Sequence, residues 1–97
     1  MIKVKLTAEA EIELENIIKY IAEDNPKRAR TYTKEMLKKA FDLLEVFPLS
    51  CPIYNKEKNI RIFIFEEYNL FYRFDEVSKT AYIVHILSSS KRTEGIL

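Results

Sequence analysis

Beyond a short alternating stretch at residues 2–6, the spacing of apolar residues divides this chain of 97 residues into two parts. From Ala10 to Phe47, apolar side chains recur every three or four positions, which is the period of an amphipathic helix. From Ile60 to Leu87 the chain consists of short β-branched and aromatic runs separated by charged residues, which is typical of strands. The sequence therefore predicts an α+β fold in which the helices precede most of the strands.

Two helices are predicted in the first part, after a half-buried strand over residues 2–6. Thr7 is a good N-cap for the first helix. Asn25 suits the N-cap of the second, and Pro26 its first position, where the missing N–H costs nothing. Pro48 ends the second helix. Because the connection is so short, the two helices should form an antiparallel hairpin.

Three strands are predicted in the second part, over Ile60–Phe65, Tyr68–Phe74 and Thr80–Leu87. Residues 48–59 contain two prolines and Asn55, and we predict a loop there. The expected order is β-α-α-β-β-β, in one domain over residues 1–97, with the helical hairpin on one face of an antiparallel sheet. The last ten residues are expected to form an exposed tail.

The turns predict which residues face each other. If Glu66-Glu67 is a two-residue turn, Phe65 lies opposite Tyr68 and Arg61 opposite Tyr72. A five-residue second turn would place Phe74 opposite Thr80 and Asn69 opposite His85. One face of the sheet would then carry Arg61, Phe63, Phe65, Tyr68, Leu70, Tyr72, Tyr82, Val84 and Ile86. The other would carry Ile60, Ile62, Ile64, Asn69, Phe71, Arg73, Ala81, Ile83, His85 and Leu87.

Both predicted faces are largely apolar, yet one helical hairpin can cover only one of them. The uncovered face should be a hydrophobic surface that needs a partner, so we expect a binding protein or half of an obligate complex. Arg61 and Arg73 fall on opposite faces in this register. A one-residue bulge in the first turn would bring them together, and the sequence leaves this open.

The charges balance globally but not locally. With 16 basic and 15 acidic residues the net charge is +1, which gives no global argument for a nucleic-acid partner. The first helix carries an acidic block, formed by Glu9, Glu11, Glu13 and Glu15. The second carries a basic stripe, formed by Lys27, Arg28, Arg30, Lys34, Lys38 and Lys39. The two blocks are either solvated faces that partly neutralise each other or a binding surface for a polyanion or an acidic partner.

Several classes are excluded or disfavoured by composition. No apolar run approaches the roughly 18 residues of a membrane helix, and the N-terminus lacks a signal peptide, so we expect a cytoplasmic protein. Cys51 is the single cysteine and His85 the single histidine, which gives no disulfide and no zinc site. We expect no metal and no cofactor.

Several segments resemble the RelE/ParE superfamily of toxins from bacterial type II toxin–antitoxin modules. The most specific are YIAEDNP at residues 20–26, the Phe47-Pro48 stop, Arg61 opening a strand, and Tyr72-Arg73 inside the next strand. The long helical hairpin looks more like the ParE branch. The resemblance implies a plasmid-stabilisation or addiction toxin, neutralised by a cognate antitoxin whose C-terminal segment wraps it. ParE-like members poison DNA gyrase, and RelE-like members cleave mRNA on the ribosome. A homodimer or a toxin–antitoxin heterotetramer is possible.

The resemblance also implies candidate site residues. A RelE-type nuclease would need Arg61, Arg73 and His85 for metal-free catalysis, with His85 as the obvious acid or base. Arg61, Arg73, Lys91 and Arg92 are the candidates for target binding. Each also has a structural interpretation: a salt bridge from Arg61 to Glu66 or Glu67, pairing of Arg73 with Asp75, a packed His85, and a solvated tail. The chain departs from the nuclease pattern at Asn69 and at residues 88–92, and a degenerate toxin that only binds its antitoxin is a third hypothesis.

Overall fold

Two helices lie against a five-stranded mixed sheet in the computed structural model, which describes residues 2–93, 95 and 97. The elements are β1 (Lys3–Leu6), α1 (Ala8–Asp24), α2 (Pro26–Val46), β2 (Ile53–Asn55), β3 (Ile60–Phe65), β4 (Tyr68–Asp75) and β5 (Thr80–Ser88). The strand order across the sheet is β1-β5-β4-β3-β2. The predicted α+β class, and the order of strand, two helices and then strands, are confirmed.

The helix boundaries follow the predicted capping residues. The Thr7 side chain accepts a hydrogen bond from the Ala10 N–H at 3.3 Å, and Asn25 Oδ1 accepts one from the Arg28 N–H at 3.0 Å. Pro26 occupies the first turn of α2. These side chains satisfy N–H groups that the first turn of a helix leaves without an intrahelical acceptor. The caps therefore fix where each helix begins and keep the connection between them to one residue.

The sheet is mixed rather than antiparallel throughout. β3, β4 and β5 form the predicted antiparallel meander, but β1 pairs with β5 in parallel, with Val4 opposite Ala81. The antiparallel prediction is therefore wrong for β1. No tight turn joins β1 to β5: two helices and three strands lie between them in the chain, and a connection of that length permits parallel pairing.

The loop predicted for residues 48–59 contains a strand. Ile53 in β2 lies opposite Arg61, and the Ile62 N–H donates to the Pro52 carbonyl at 3.0 Å. Prolines argued against a strand, but an edge strand needs N–H groups on only one side and tolerates Pro at its start. The prediction of a continuous loop is wrong at Ile53–Asn55.

The predicted register is correct for the first hairpin and wrong for the second. Phe65 lies opposite Tyr68 and Arg61 opposite Tyr72, as predicted. The second hairpin is wrong: Phe74 lies opposite Ala81, and Asn69 lies opposite Leu87.

Two local features cause that error. The second turn has four residues, because Asp75 pairs with Thr80 while its carboxylate accepts hydrogen bonds from the Val77 N–H and the Ser78 hydroxyl at 3.0 and 2.9 Å. A bulge in β5 then shifts the pairing next to Tyr72, which lies opposite Ile83. The shorter turn exchanges the faces before the bulge: Ala81 and Ile83 join the core beneath the helices, and Val84 lies on the other side. Beyond the bulge, Ile86 and Leu87 lie on the faces predicted for them.

The main core lies between the helices and one face of the sheet, which we call the helix face. Met36, Ala40 and Leu44 of α2 are fully buried there, against Leu70 and Tyr72 of β4. The other face, here the far face, has its own small cluster of Ile60, Phe71 and Leu87, with exposed fractions of 2%, 1% and 4%.

The far face is covered in part from within the chain. The Tyr54 ring meets Phe71 edge-on with centroids 4.8 Å apart, and the Tyr54 hydroxyl bonds the Thr93 hydroxyl. Leu97 packs against the same cluster. The exposed-tail prediction is therefore wrong for Thr93 and Leu97, which are half-buried; Glu94 and Ile96 lie outside the described residues. Ile64, at 64% exposed, stays open, so the predicted uncovered face is found over only part of the sheet.

Candidate functional site

Arg61 holds the chain that follows α2. Its guanidinium Nη1 donates to the carbonyls of Leu49 and Cys51 at 3.1 and 2.7 Å. Tyr72, opposite Arg61, donates its hydroxyl to the Pro48 carbonyl at 2.6 Å. Burial raises the pKa of Tyr72, and its contact with Cys51 adds to the shift. The predicted salt bridge to Glu66 or Glu67 is absent from the described residues, and Arg61 instead fixes the backbone after α2 in place.

The two arginines lie on opposite faces of the sheet but border one groove at its end. This arginine groove, of about 570 Å³, is lined by Leu49, Asn59, Arg61, Arg73, Phe74, Asp75, Glu76 and Tyr82. Arg73 is exposed, and no hydrogen bond or ion pair involves its guanidinium within the described part of the chain. The first hairpin has no bulge, so the arginines converge through their long side chains and not through a shared face.

His85 lies on β5, where two glutamates of α1 contact its imidazole. Its Nδ1 lies 3.0 and 3.2 Å from the two carboxylate oxygens of Glu13, and its Nε2 lies 3.7 Å from Glu9. The Glu13 carboxylate also accepts the Ile86 N–H at 2.9 Å. β1 ends beside Ile83, so the next N–H on that edge of β5 would be unpaired without Glu13. Glu13 therefore protects a strand edge and orients the imidazole at the same time.

The three candidate nuclease residues thus occupy two places. Arg61 and Arg73 border the arginine groove, whereas His85 borders a small cleft with Thr7, Ala8, Glu9 and Val84. An acid or base must reach the proton that it transfers within hydrogen-bond distance, directly or through one water. In this arrangement the imidazole faces two carboxylates of α1 and not the arginines.

The candidate residues after β5 lie in a third place. Lys91 and Arg92 are exposed. Lys91 borders a groove of about 500 Å³ between α1 and the sheet, together with Ile17, Tyr20 and Tyr68. The four candidate target-binding residues therefore do not form one contiguous site: Arg61 and Arg73 share a groove, and Lys91 belongs to another.

One exposed feature was missed by the sequence analysis. Large apolar side chains that are more than half exposed follow the end of α2, and we call them the apolar segment: Val46 at 62%, Phe47 at 61%, Leu49 at 51% and Ile53 at 55%. Leu49 also lines the arginine groove. The sequence does carry a signal for this surface: four large apolar residues lie within eight positions around two prolines. The prolines indicated the end of a helix, and the apolar residues around them were not interpreted as a surface. Such a concentration of exposed apolar surface is typical of a binding site.

The described residues contain no metal-binding cluster and no membrane-spanning helix. Over residues 2–93, 95 and 97, no three side chains of His, Cys, Asp or Glu lie close enough together to hold a metal ion. No helix within the same residues is long and apolar enough to cross a membrane. Cys51 is buried as a free thiol.

Comparison with known proteins now identifies the fold. The family model for the ParE toxin of the type II toxin–antitoxin system, parDE, matches residues 4–93. The chain belongs to the ParE toxin family. This confirms the resemblance to the RelE/ParE superfamily and its ParE branch, and it makes the chain a toxin of type II toxin–antitoxin systems. No curated protein sequence matches the chain.

Two solved structures share the fold of this ParE-family toxin. The chromosomal ParDE system from P. aeruginosa superposes with a TM-score of 0.75 at 19% identity, covering 91% of this chain and 96% of that one. The RelBE2 toxin–antitoxin complex from Mycobacterium tuberculosis superposes with a TM-score of 0.68 at 21% identity, covering 93% of each chain. At these identities the likeness concerns the fold alone.

Proposed function

We propose that this ParE-family toxin stops growth as a non-catalytic protein that binds DNA gyrase, and that a cognate antitoxin neutralises it in the cytoplasm. Family membership supports the toxin–antitoxin pairing, and the two solved structures described above come from toxin–antitoxin systems. Gyrase is the target that the ParE branch implies, and plasmid stabilisation is the biological role that fits it.

The position of His85 is the observation that carries the choice of a non-catalytic mechanism. Its imidazole is 3.0 Å from Glu13 across the α1–β5 contact, and it shares no groove with Arg61 or Arg73. Cleavage of RNA without a metal requires an acid or base and a phosphate-stabilising cation around one reacting phosphate. The described residues offer the cations and the acid–base group at separate places, which favours an inhibitor that acts by binding.

The surface beside the arginine groove suits a protein target. The apolar segment supplies exposed Phe47 and Leu49, and the neighbouring groove supplies the exposed Arg73. Buried aromatic and arginine side chains within an apolar patch are the usual centres of protein–protein binding energy. A protein partner would gain affinity there from apolar burial, and Arg73 would orient it.

Paired assays on the purified chain test this function. The wild type should block gyrase supercoiling and leave ribosome-bound mRNA uncut. Leu49→Asp and Arg73→Ala should weaken gyrase inhibition, because the first charges the apolar segment and the second removes the exposed guanidinium. Lys19→Ala, an exposed α1 cation outside these surfaces, is the control and should behave as wild type. Cut mRNA together with uninhibited gyrase would contradict the proposal.

A ribosome-dependent endoribonuclease is the second candidate, and the arginine groove favours it. Two guanidinium groups bordering one groove can bind a phosphate in bidentate fashion. Under this hypothesis Arg61→Ala, Arg73→Ala and His85→Gln should each abolish codon-phased cuts in ribosome-bound mRNA. Arg61→Ala must be accompanied by a urea melt, because Arg61 also holds the backbone at Leu49 and Cys51.

The open part of the far face is the surface that we assign to the antitoxin. Ile64 is 64% exposed there, beside the partly buried Ile62. Ile64→Lys should weaken formation of the toxin–antitoxin complex in a co-purification assay, with Lys58→Ala in the β2–β3 turn as control. Light scattering of the purified complex distinguishes a heterodimer from the predicted heterotetramer. A chain that binds antitoxin but causes no growth defect on induction would be a degenerate toxin and would contradict gyrase inhibition.

A further inference from the structure

The charges of α2 run opposite to the direction that an isolated helix favours. Cations crowd its first turn, at Lys27 and Arg28, and no acid accompanies them. Asp42 and Glu45 lie near its C-terminus, where the last turn holds no base. A helix dipole favours the reverse arrangement. The outward face of α2 is therefore basic in its first two-thirds and acidic at its end, a pattern that an antiparallel neighbour with the same sequence would complement.

An apolar groove lies on this polarised surface. The α2 groove, of about 680 Å³, is lined by Thr31, Lys34, Glu35, Leu37, Lys38, Phe41 and Asp42, all from α2. Leu37 and Phe41 are half-buried and form its apolar floor. The two lie one helical turn apart, so their side chains are neighbours on one face of α2 and form a continuous apolar strip.

The ion pairs of α2 leave one cation of the groove available. Lys38 Nζ lies 2.7 Å from Asp42, and Lys39 Nζ lies 3.4 Å from Glu35. Within the described residues Lys34 makes neither an ion pair nor a hydrogen bond. No ion pair joins α1 to α2 across the described hairpin, so α1 does not neutralise this face.

We propose that the α2 groove is occupied by a second copy of this chain, with the two α2 helices antiparallel about a two-fold axis. An axis midway between Leu37 and Phe41 would place Leu37 of one copy against Phe41 of the other, and the reverse. Lys34 would then lie level with residue 44 of the second copy, about 1.5 Å along the axis from Glu45. The same patch serves both copies, as a two-fold interface requires.

This arrangement makes a charge-swap experiment decisive. Sedimentation of the purified chain at low salt should show a monomer–dimer equilibrium that shifts towards monomer as salt is added. Lys34→Glu and Glu45→Lys should each weaken the dimer roughly tenfold, because each reversal affects two symmetric pairs. The double variant exchanges the two charges and should restore the wild-type dimer. Lys58→Glu, the same change in the β2–β3 turn, should leave dimerisation as it is.

Loss of the apolar floor gives a second test. Phe41→Asp should yield a monomer, and a urea melt of the same sample separates lost association from lost folding. A wild-type chain that is monomeric at every concentration would overturn the proposal, and so would a double variant as weak as the two single ones. If the wild type is monomeric and Phe41→Asp instead fails to form a complex with co-expressed antitoxin, the groove belongs to the antitoxin and self-association is overturned.

Discussion

The two faces of the sheet are both apolar, but they are used differently. On the helix face, α1 and α2 bury a continuous core in which Leu44, Leu70 and Tyr72 have no exposed surface. On the far face, one tyrosine ring and Leu97 cover only the cluster around Phe71, while Ile64 and Arg73 remain exposed. The first face determines the fold, and part of the second stays exposed. A small domain can build both because residues on a strand alternate between faces.

The largest expected loss in the free energy of unfolding is that of Leu44→Ala on the helix face. Leu44 is completely buried beneath the sheet, so its truncation removes apolar contacts and leaves a cavity, at a cost of about 2–5 kcal/mol. Ile64→Ala on the far face should change the free energy of unfolding by no more than about 0.5 kcal/mol. Urea melts of the two variants measure both values. Equal losses would show that the far face also belongs to the folding core.

The sequence predicted the helix side of this comparison well. Caps at Thr7 and Asn25, and the turn at Glu66-Glu67, depend on neighbouring residues alone, and each is as predicted. The bulge in β5, the parallel pairing of β1 and the short β2 depend on contacts between distant segments. The four-residue turn at Asp75 exchanges the faces of Ile83 and Val84, and the β5 bulge, which restores the predicted faces beyond it, has no marker in the sequence.

Tyr72→Phe should have the next largest effect, and it tests how firmly the helix face is tied to the chain after α2. The variant keeps the ring but removes the hydroxyl that donates to Pro48 at 2.6 Å. The buried carbonyl would lose its partner, at a cost of about 1–3 kcal/mol. Tyr82→Phe, on the far face, is the matched control. A loss no greater than that of the control would mean that water replaces the missing hydroxyl.

The same tyrosine predicts a dependence on pH. Burial holds the pKa of Tyr72 above its ordinary value in the folded chain, so the unfolded chain loses this proton first. Stability should therefore be unaffected by Tyr72 below about pH 10 and should fall as the pH rises beyond it. Chemical denaturation at increasing pH measures the fall, which should be smaller in Tyr72→Phe. An identical fall in both proteins would assign the effect to other tyrosines.

The candidate site was harder to predict than the fold, and His85 shows why. The sequence placed it on a strand, but it could not show that Glu13, 72 positions away, would bind the imidazole. Arg61 likewise looked like a target contact or a salt-bridge partner, whereas its hydrogen bonds go to main-chain carbonyls, which no sequence pattern marks. The apolar segment was visible in the sequence but was interpreted only as a helix stop.

Glu13→Gln, where α1 contacts the edge of β5, should have a smaller effect on the free energy of unfolding. The glutamate accepts hydrogen bonds from the Ile86 N–H and from His85, and a glutamine oxygen can replace only one of these contacts at full strength. We expect a loss of about 1–2 kcal/mol in the free energy of unfolding. Glu15→Gln, at an exposed position of the same helix, is the control. If both variants melt alike, the Glu13 contacts do not stabilise the edge of β5.

The smallest effect is expected from Leu97→Ala, which bears directly on the division between the faces. Leu97 is half-buried over the far-face cluster, so its truncation should cost about 0.5–1 kcal/mol, a fraction of the cost at Leu44. Val77→Ala, in a turn where the side chain is 95% exposed, should cost nothing measurable. If Leu97→Ala instead matched Leu44→Ala, Leu97 would be part of the folding core, and a partner that needs the far face would have to displace it first. A small loss leaves that face available without disturbing the helix side, as the proposed antitoxin surface requires.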